Sequence, residues 1–528
     1  MFKGGKSAAV FMVILIAACA SSPRQPFSTT PTTPPTPPTP PAPAAEDSSA
    51  ADYAAEYQRA WFDVAAKIKS GKLKDAYSLG LDLIGSRNFQ DLIAADQHQK
   101  LFVIGELGVQ LRDFTFAHRL LVRASEMRDG NVRDWAARLH AASRLSDQAD
   151  VTHALTIIAR RWPSTLSNFK SQFVEETAGQ IPTTDEEDNA RFELFNALYD
   201  ASWKDENGVE PGAMWGVLIR GLVVRGETDH ALEVMSRENN PREIISLRVD
   251  KRFYAFVHLD PKRFDITAAA QRQIDECRAT VKRNPRSLGA VLELVDAYLD
   301  AGRYKEAYRL TSSALTKVLA SKTTQDVYDD AETMIASFFD RKSEALSDLQ
   351  RWKEAGDEEK RAADRLQDGG PDISNIINLA DYYAELGRAD EALATLDRLS
   401  GSTPSPYGQM LAKLVRLIAG VAKHDETVVR DTLQYLKEHQ KDGLTAFQDG
   451  LVWANKMDEA ANFLIARLRD PRLRTEALTE IQRYSDPPVP PFATKFRMRW
   501  GKLVVRRDVQ VEVHQVGRIE RVPVPSRL

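Results

Sequence analysis

Cysteine is nearly missing from this chain: Cys19 and Cys277 are the only two in 528 residues. That excludes a disulfide framework and any site built on several thiolates. Beyond the first twenty residues there is no apolar run of the eighteen or so residues that a membrane-spanning helix needs. Strand-type alternation is scarce as well. Neither sign of charge dominates, since 71 basic and 75 acidic residues leave a formal charge of −4, which argues against nucleic acid as a ligand. The nine histidines, at 98, 118, 140, 153, 230, 258, 424, 439 and 514, contain no pair at metal-ligand spacing. No phosphate-binding glycine loop occurs in the chain. Ser167 to Lys170 spells Ser-x-x-Lys, but the partner motifs Ser-Asp-Asn and Lys-Thr-Gly do not accompany it. Cys277 lies between Glu276 and Arg278 with Asp275 close by, and neighbouring acids disfavour a thiolate. The expectation is therefore no catalytic residue, no metal and no cofactor.

What is present begins at the N-terminus. Lys3 and Lys6 precede an apolar run from Ala8 through Ile16, followed by small residues and a cysteine. This is the layout of a secretory signal, too short for a permanent span. Ile16, Ala17, Ala18 and Cys19 resemble the lipobox of bacterial lipoproteins. The resemblance implies cleavage after residue 18, acylation of Cys19 and membrane attachment without a spanning helix. Acyl chains contribute about 0.8 kcal/mol per buried CH₂, so two or three hold durably. Ala20 and Ser21 follow the cysteine with no aspartate, which by resemblance to enterobacterial sorting implies the outer membrane, facing the periplasm. Loss of Lys3 and Lys6 takes the formal charge from −4 to −6. Cys277 is then left without a disulfide partner.

From Pro23 to Pro43 the chain is dominated by proline and threonine. Such a tract buries no core and favours extended polyproline II geometry, reaching about 65 Å at about 3.1 Å per residue. Residues 19–50 read as a lipidated, disordered tether.

Beyond residue 50, alanine, leucine, arginine and glutamate recur with helical period. Two stretches carry a repeat. In one, Val291, Leu294, Tyr298, Gly302, Tyr304, Ala307 and Ala314 are spaced as in a helix-turn-helix unit of about 34 residues; in the other, Ile376, Leu379, Ala380, Tyr383, Gly387, Ala392, Leu396 and Pro404 match. The small residues permit close helix approach, and glycine ends the first helix. Both stretches resemble the tetratricopeptide repeat. Weaker copies run from Gly71 to Ala76, Arg112 to Ala117, Ala149 to Ala154, Gly226 to Ala231, Gln350 to Ala355 and Asn455 to Ala460. Further pairs are expected near 188, 264 and 424, for about eleven in all. Taken singly, Ala149 or Asn455 suits an unrelated helical hairpin equally well; the series carries the reading. Residues 51–485 are accordingly expected to form an all-α solenoid of tetratricopeptide-like repeats.

Two stretches interrupt the pattern. Asp250 to Phe253 is echoed by Asp260 to Phe264, expected to be a capping connection with buried phenylalanines. Pro487, Pro488, Pro490 and Pro491 end the array, leaving 486–528 as an appendage with a short helix, in which Val505, Val509, Val513 and Val516 share a face, and an extended tail.

The tetratricopeptide resemblance implies that two positions of each first helix face a concave groove. The first position holds Glu106, Asp296, Glu344, Asp381 and Asp449, and the second holds Asp147, Asp300, Asp348 and Glu385. Asp296 with Asp300, Glu344 with Asp348, and Asp381 with Glu385 fall four apart on one helical face, at a cost of a few tenths of a kcal/mol per like-charged pair. An acidic groove receiving a basic partner segment is one account, and a solvated charged face is the other. The function expected is a non-enzymatic envelope scaffold for other envelope proteins, similar in plan to repeat lipoproteins that assist outer-membrane assembly and export. A carbohydrate- or peptidoglycan-associated module is the alternative, with Trp61, Trp135, Trp215 and Trp453 as stacking platforms rather than core. An enzyme whose site leaves no sequence signature is the third, and its structural sign is a cavity where titratable groups converge.

Overall fold

The computed structural model describes residues 47–526, except 129, 180–184, 206–207, 322, 324–325 and 368–369. The signal, Cys19 and the whole proline-threonine tract lie outside the described residues. What is described is an all-α solenoid of tetratricopeptide-like hairpins. Extended pairing is confined, among those residues, to Leu366–Gln367 with Gly370–Pro371 and two isolated bridges. No described helix is long and apolar enough to cross a membrane.

One local device builds the hairpins. A residue in the left-handed region follows the first helix at Gly71, Arg112, Ser146, Ser202, Gly226, Gly302, Gln350, Gly387, His424 and Asn455. At each of them the helix end is closed in the same way: Gly302 N–H donates to Leu299 C=O at 2.9 Å and Arg303 N–H to Tyr298 C=O at 2.7 Å. This is the Schellman arrangement, which satisfies the last carbonyls and reverses the chain. Except after Ser202, where the next described helix begins at Gly212, the following helix starts almost at once and packs back on the first. Five residues after the turn stands Ala76, Ala117, Ala231, Ala307, Ala355, Ala392 or Ala460, each fully buried. A larger side chain there would hold the two helices apart.

Most turns fall where the small-residue spacing places them, including the one near 424. Three differ. The turn expected at 149 is at Ser146, because Asp147 caps the following helix, its Oδ1 accepting from Asp150 N–H at 3.1 Å. No turn falls near 188, since the helix Asp185–Asp200 runs through that position and is closed only at Ser202. Near 264 there is no hairpin. The helix Pro241–Val249 is joined to Ile266–Arg283 by a 3-10 turn at Lys251–Phe253 and a short helix Tyr254–Leu259, with Phe253 and Phe264 buried beneath.

The chain divides into two compact units, one ending at Trp203 and the other starting at Lys204. In the first, Phe89, Ile104, Leu121 and their neighbours form a continuous apolar core. Burying side chains of this size contributes about 1.5–3 kcal/mol each.

The second unit closes on itself. The helix Pro241–Val249 packs against Arg474–Glu480, Arg248 Nε donates to Glu520 Oε2 at 2.9 Å, and Arg518 N–H donates to Val249 C=O at 3.0 Å. Residues 486–526 are built into this unit. The helix Thr494–Val504 lies on Leu444–Trp453, with Phe492 and Phe496 stacked on Trp453 at 5.5 and 5.3 Å between ring centres. The helix Arg507–Val516 buries Val509, Val513 and Val516 against Met457–Arg469, while Val505, expected on the same face, is exposed just before the helix begins. The last stretch then runs extended along Arg483–Asp486: Val522 N–H donates to Arg483 C=O at 2.9 Å and Ser485 N–H to Val524 C=O at 3.1 Å.

Candidate functional site

The candidate groove residues divide between the units. In the first, Glu106 is half-buried and its carboxyl is raised above the usual range, mainly by burial, with Arg133 opposing and Asp134 adding to the rise. Asp147 is occupied locally as the helix cap described above.

The second unit gathers the rest. Asp296 and Asp300 end the helix Leu288–Asp300, Glu344 and Asp348 end Ala331–Asp348, and Asp381 and Glu385 end Ile373–Glu385. Helical spacing places each pair on one face. Asp296, Asp300 and Glu344 line a cavity of about 440 Å³ together with Arg242, Arg341 and Tyr484. Val524, Pro525 and Ser526 form part of the same wall. Asp348 is not in the wall.

Arg341 explains how these acids coexist. Its Nε lies 2.6 Å from Asp296 Oδ1, its Nη1 pairs with Asp340, and Glu344 is 3.9 Å away. A planar guanidinium can serve several carboxylates at once, which a lysine cannot match. Behind it, Asp340 and the buried Glu359 are both raised, first by burial and then, for Glu359, by Asp340 itself. Sequence spacing gave no hint of Arg341, Arg242, Tyr484 or the chain's own residues 524–526 in this wall. Arg341 stands three residues from Glu344 on the same helix, yet its main partner is 45 residues away.

A second acidic group consists of Asp381, Glu385 and Asp449. Burial pushes the Asp449 carboxyl up to about 8, with Glu480 adding to the rise and Arg467 opposing it. Asp381 and Glu385 are raised for the same first reason, and Glu385 further by Asp381 and Asp449. Like-charged carboxylates drawn together out of bulk water favour their protonated forms. A cation entering there would draw the protons off.

The tryptophans are mostly core. Trp135, Trp215 and Trp453 are 4 %, 1 % and 4 % exposed, so their faces are not available as stacking platforms, which counts against the carbohydrate alternative for these three. Trp61 is half-buried beneath Lys100, whose Nζ is 5.3 Å from the ring centre. Cys277 is buried, and its thiol is pushed up to about 12 by burial and then by Glu293, Glu276, Asp296 and Asp300. A thiol so placed is no nucleophile at neutral pH.

No protein-family model matches the chain, and no curated protein matches its sequence. Among solved structures, the chain is similar to the APC/C hetero-tetramer Cut9-Hcn1 at 11% identity, covering 89% of this chain and 91% of that one with a TM-score of 0.28. It is similar to a Rap protein complexed with competence and sporulation factor at 12% identity, 85% and 99% coverage and a TM-score of 0.30. A third similarity is to the TPR domain of P58(IPK), at 10% identity, 79% and 100% coverage and a TM-score of 0.20.

Proposed function

We propose that the protein is a lipid-anchored scaffold of the bacterial cell envelope, in which the helical-repeat array docks other envelope proteins through their basic segments. The fold supplies the general part: stacked hairpins that expose long inner faces are suited to binding polypeptide rather than to enclosing a reaction. The signal pattern and Cys19 supply the anchor, and the proline-threonine tract supplies reach from the outer membrane into the periplasm.

The observation that carries the basic-segment part is the convergence of Asp296, Asp300 and Glu344, from two different repeats, on one cavity. Asp381, Glu385 and Asp449 add a second acidic surface whose carboxyls are raised by burial and crowding. Either surface gains from a lysine or arginine that offsets the crowding.

Crosslinking in intact cells, followed by mass spectrometry, tests the reading. The wild-type chain should capture a defined set of envelope proteins, and reversing Asp300, Glu344, Asp381 and Glu385 to lysine should abolish that set while leaving the protein membrane-bound. An unchanged set would discard the acidic surfaces. The anchor is tested separately: a Cys19→Ser protein should leave the membrane fraction, and one that stays there contradicts the lipid reading.

A further inference from the structure

A second cavity in the same unit, of about 510 Å³, is lined by charges of both signs, of which Arg237 is already paired with Glu210 at 2.7 Å. In its wall, Arg263 Nη1 and Arg272 Nε both donate to the side-chain oxygen of Asn239, at 3.1 and 3.2 Å. Their remaining hydrogen bonds go to backbone carbonyls, Arg263 to Glu238 at 2.7 Å and Arg272 to Arg263 at 2.9 Å. Two guanidinium groups therefore share neutral acceptors. The Arg263 guanidinium is held below its ordinary value, by burial first and by Arg272 next.

Glu276, one turn beyond Arg272 on the helix Ile266–Arg283, lines the cavity with Glu293, and these are the acids that act most strongly on the Cys277 thiol after burial. Arg272 and Glu276 are spaced to pair along one helix, but Arg272 is committed to Asn239, and the opposite charges stay apart. Glu238 lines the cavity as well and is 1 % exposed. Its Oε1 accepts from Asn240 N–H at 2.7 Å, while its Oε2 makes no hydrogen bond. A buried carboxyl with one oxygen unused is costly unless something completes it.

We infer that this cavity binds a small zwitterion, with its carboxylate between Arg263 and Arg272 and its protonated amine against Glu276 and Glu293. The charges of that ligand stand about one helical turn apart or more, roughly 5–6 Å, as in an amino acid with a basic side chain or in a dipeptide. The volume lies within the roughly 300–1,000 Å³ usual for small-molecule sites. Burial keeps the Glu238 carboxyl protonated near neutral pH, its pKa raised to about 8 with Glu243 adding to the rise, so it offers a donor beside the arginines.

The test is calorimetric titration of the full chain with L-lysine and with glycylglycine, which separates the amino-acid source from the peptide source. Controls are Nα-acetyl-lysine amide, which lacks the carboxylate, hexanoate, which lacks the amine, and maltose, which is neutral. At least one zwitterion should bind, with every control at least tenfold weaker, and Arg272→Gln and Glu276→Gln should each weaken it tenfold or more. The two variants remove opposite charges, so if one fails to fold the other decides. No binding by either zwitterion, a control that binds equally well, or binding untouched by the folded variant would overturn the inference. None of these residues is reversed in the partner-capture experiment, so each reading can fail without the other.

Discussion

The hydroxyl of Thr475 donates a 2.9 Å hydrogen bond to Oδ2 of Asp250, across 225 residues of sequence. The same carboxylate is gripped by Arg252, which also reaches Thr475 Oγ1 at 2.9 Å and Pro471 C=O at 3.0 Å. Asp250 is completely buried, so the Asp250 to Phe253 turn is the seam where the two ends of the second unit meet.

Replacing Asp250 with alanine should therefore destabilise the second unit by roughly 2–3 kcal/mol, because Arg252 loses its carboxylate and the seam its bridging acceptor. Thr475→Val should cost about 1 kcal/mol, since it removes one of the five hydrogen bonds that the carboxylate accepts, the other four coming from Arg252. Urea unfolding curves measure both. A loss below about 0.5 kcal/mol for Asp250→Ala, the scale of an ordinary surface substitution, would mean that the closure is incidental.

Gly387 and Gly226 have nearly the same backbone, with φ of +74° and +76°. A Cβ on Gly226 would meet nothing within 4 Å, whereas one on Gly387 would meet the Phe492 ring at 3.3 Å. Gly226→Ala should cost about 1–2 kcal/mol from left-handed strain alone, and Gly387→Ala should cost more. Equal losses would show that Phe492 does not press on that turn.

These turns also show how far the sequence could be read. Gly302 and Gly387 announce themselves because glycine tolerates the left-handed region. Arg112, Gln350 and Asn455 do not, but the buried alanine five positions on marks them. The turn at Ser146 lacks that alanine, with Val151 in its place, and the small-residue spacing points three residues too far along the chain. Helical spacing put Asp296 and Asp300 on one face, and they do line one cavity. It could not show that Arg341 lies among those acids or that residues 524–526 wall the cavity, because contacts such as Arg248 with Glu520 span 272 residues and follow from how the unit closes.

The raised carboxyls of Asp449, Asp381 and Glu385 make stability depend on pH in an unusual direction. In the unfolded chain these groups ionise near pH 4, and in the folded unit they hold their protons to higher pH. Between those limits the folded state binds more protons, so stability falls as pH rises. Thermal unfolding of the second unit should occur at a higher temperature at pH 6 than at pH 8, and Asp449→Asn should flatten the difference. A higher transition at pH 8, carried by these groups, would contradict the burial argument.

Cys277, with its thiol pushed up to about 12, should resist alkylation. In a Cys19→Ser protein at pH 8, the remaining thiol should react with iodoacetamide on the order of a hundredfold more slowly when folded than in urea. Comparable rates would mean that the helices Ile266–Arg283 and Leu288–Asp300 open readily around it.

The central claim is that the inner acids of the second unit recognise basic polypeptide. The direct measurement is titration of the full chain with an extended peptide rich in lysine and arginine, at low and at moderate salt, beside its glutamate-substituted counterpart. The account predicts binding of the basic peptide alone, weakened by salt and reduced at least tenfold when Asp300, Glu344, Asp381 and Glu385 are reversed. Equal affinity for both peptides, or binding that survives the reversal, would contradict it.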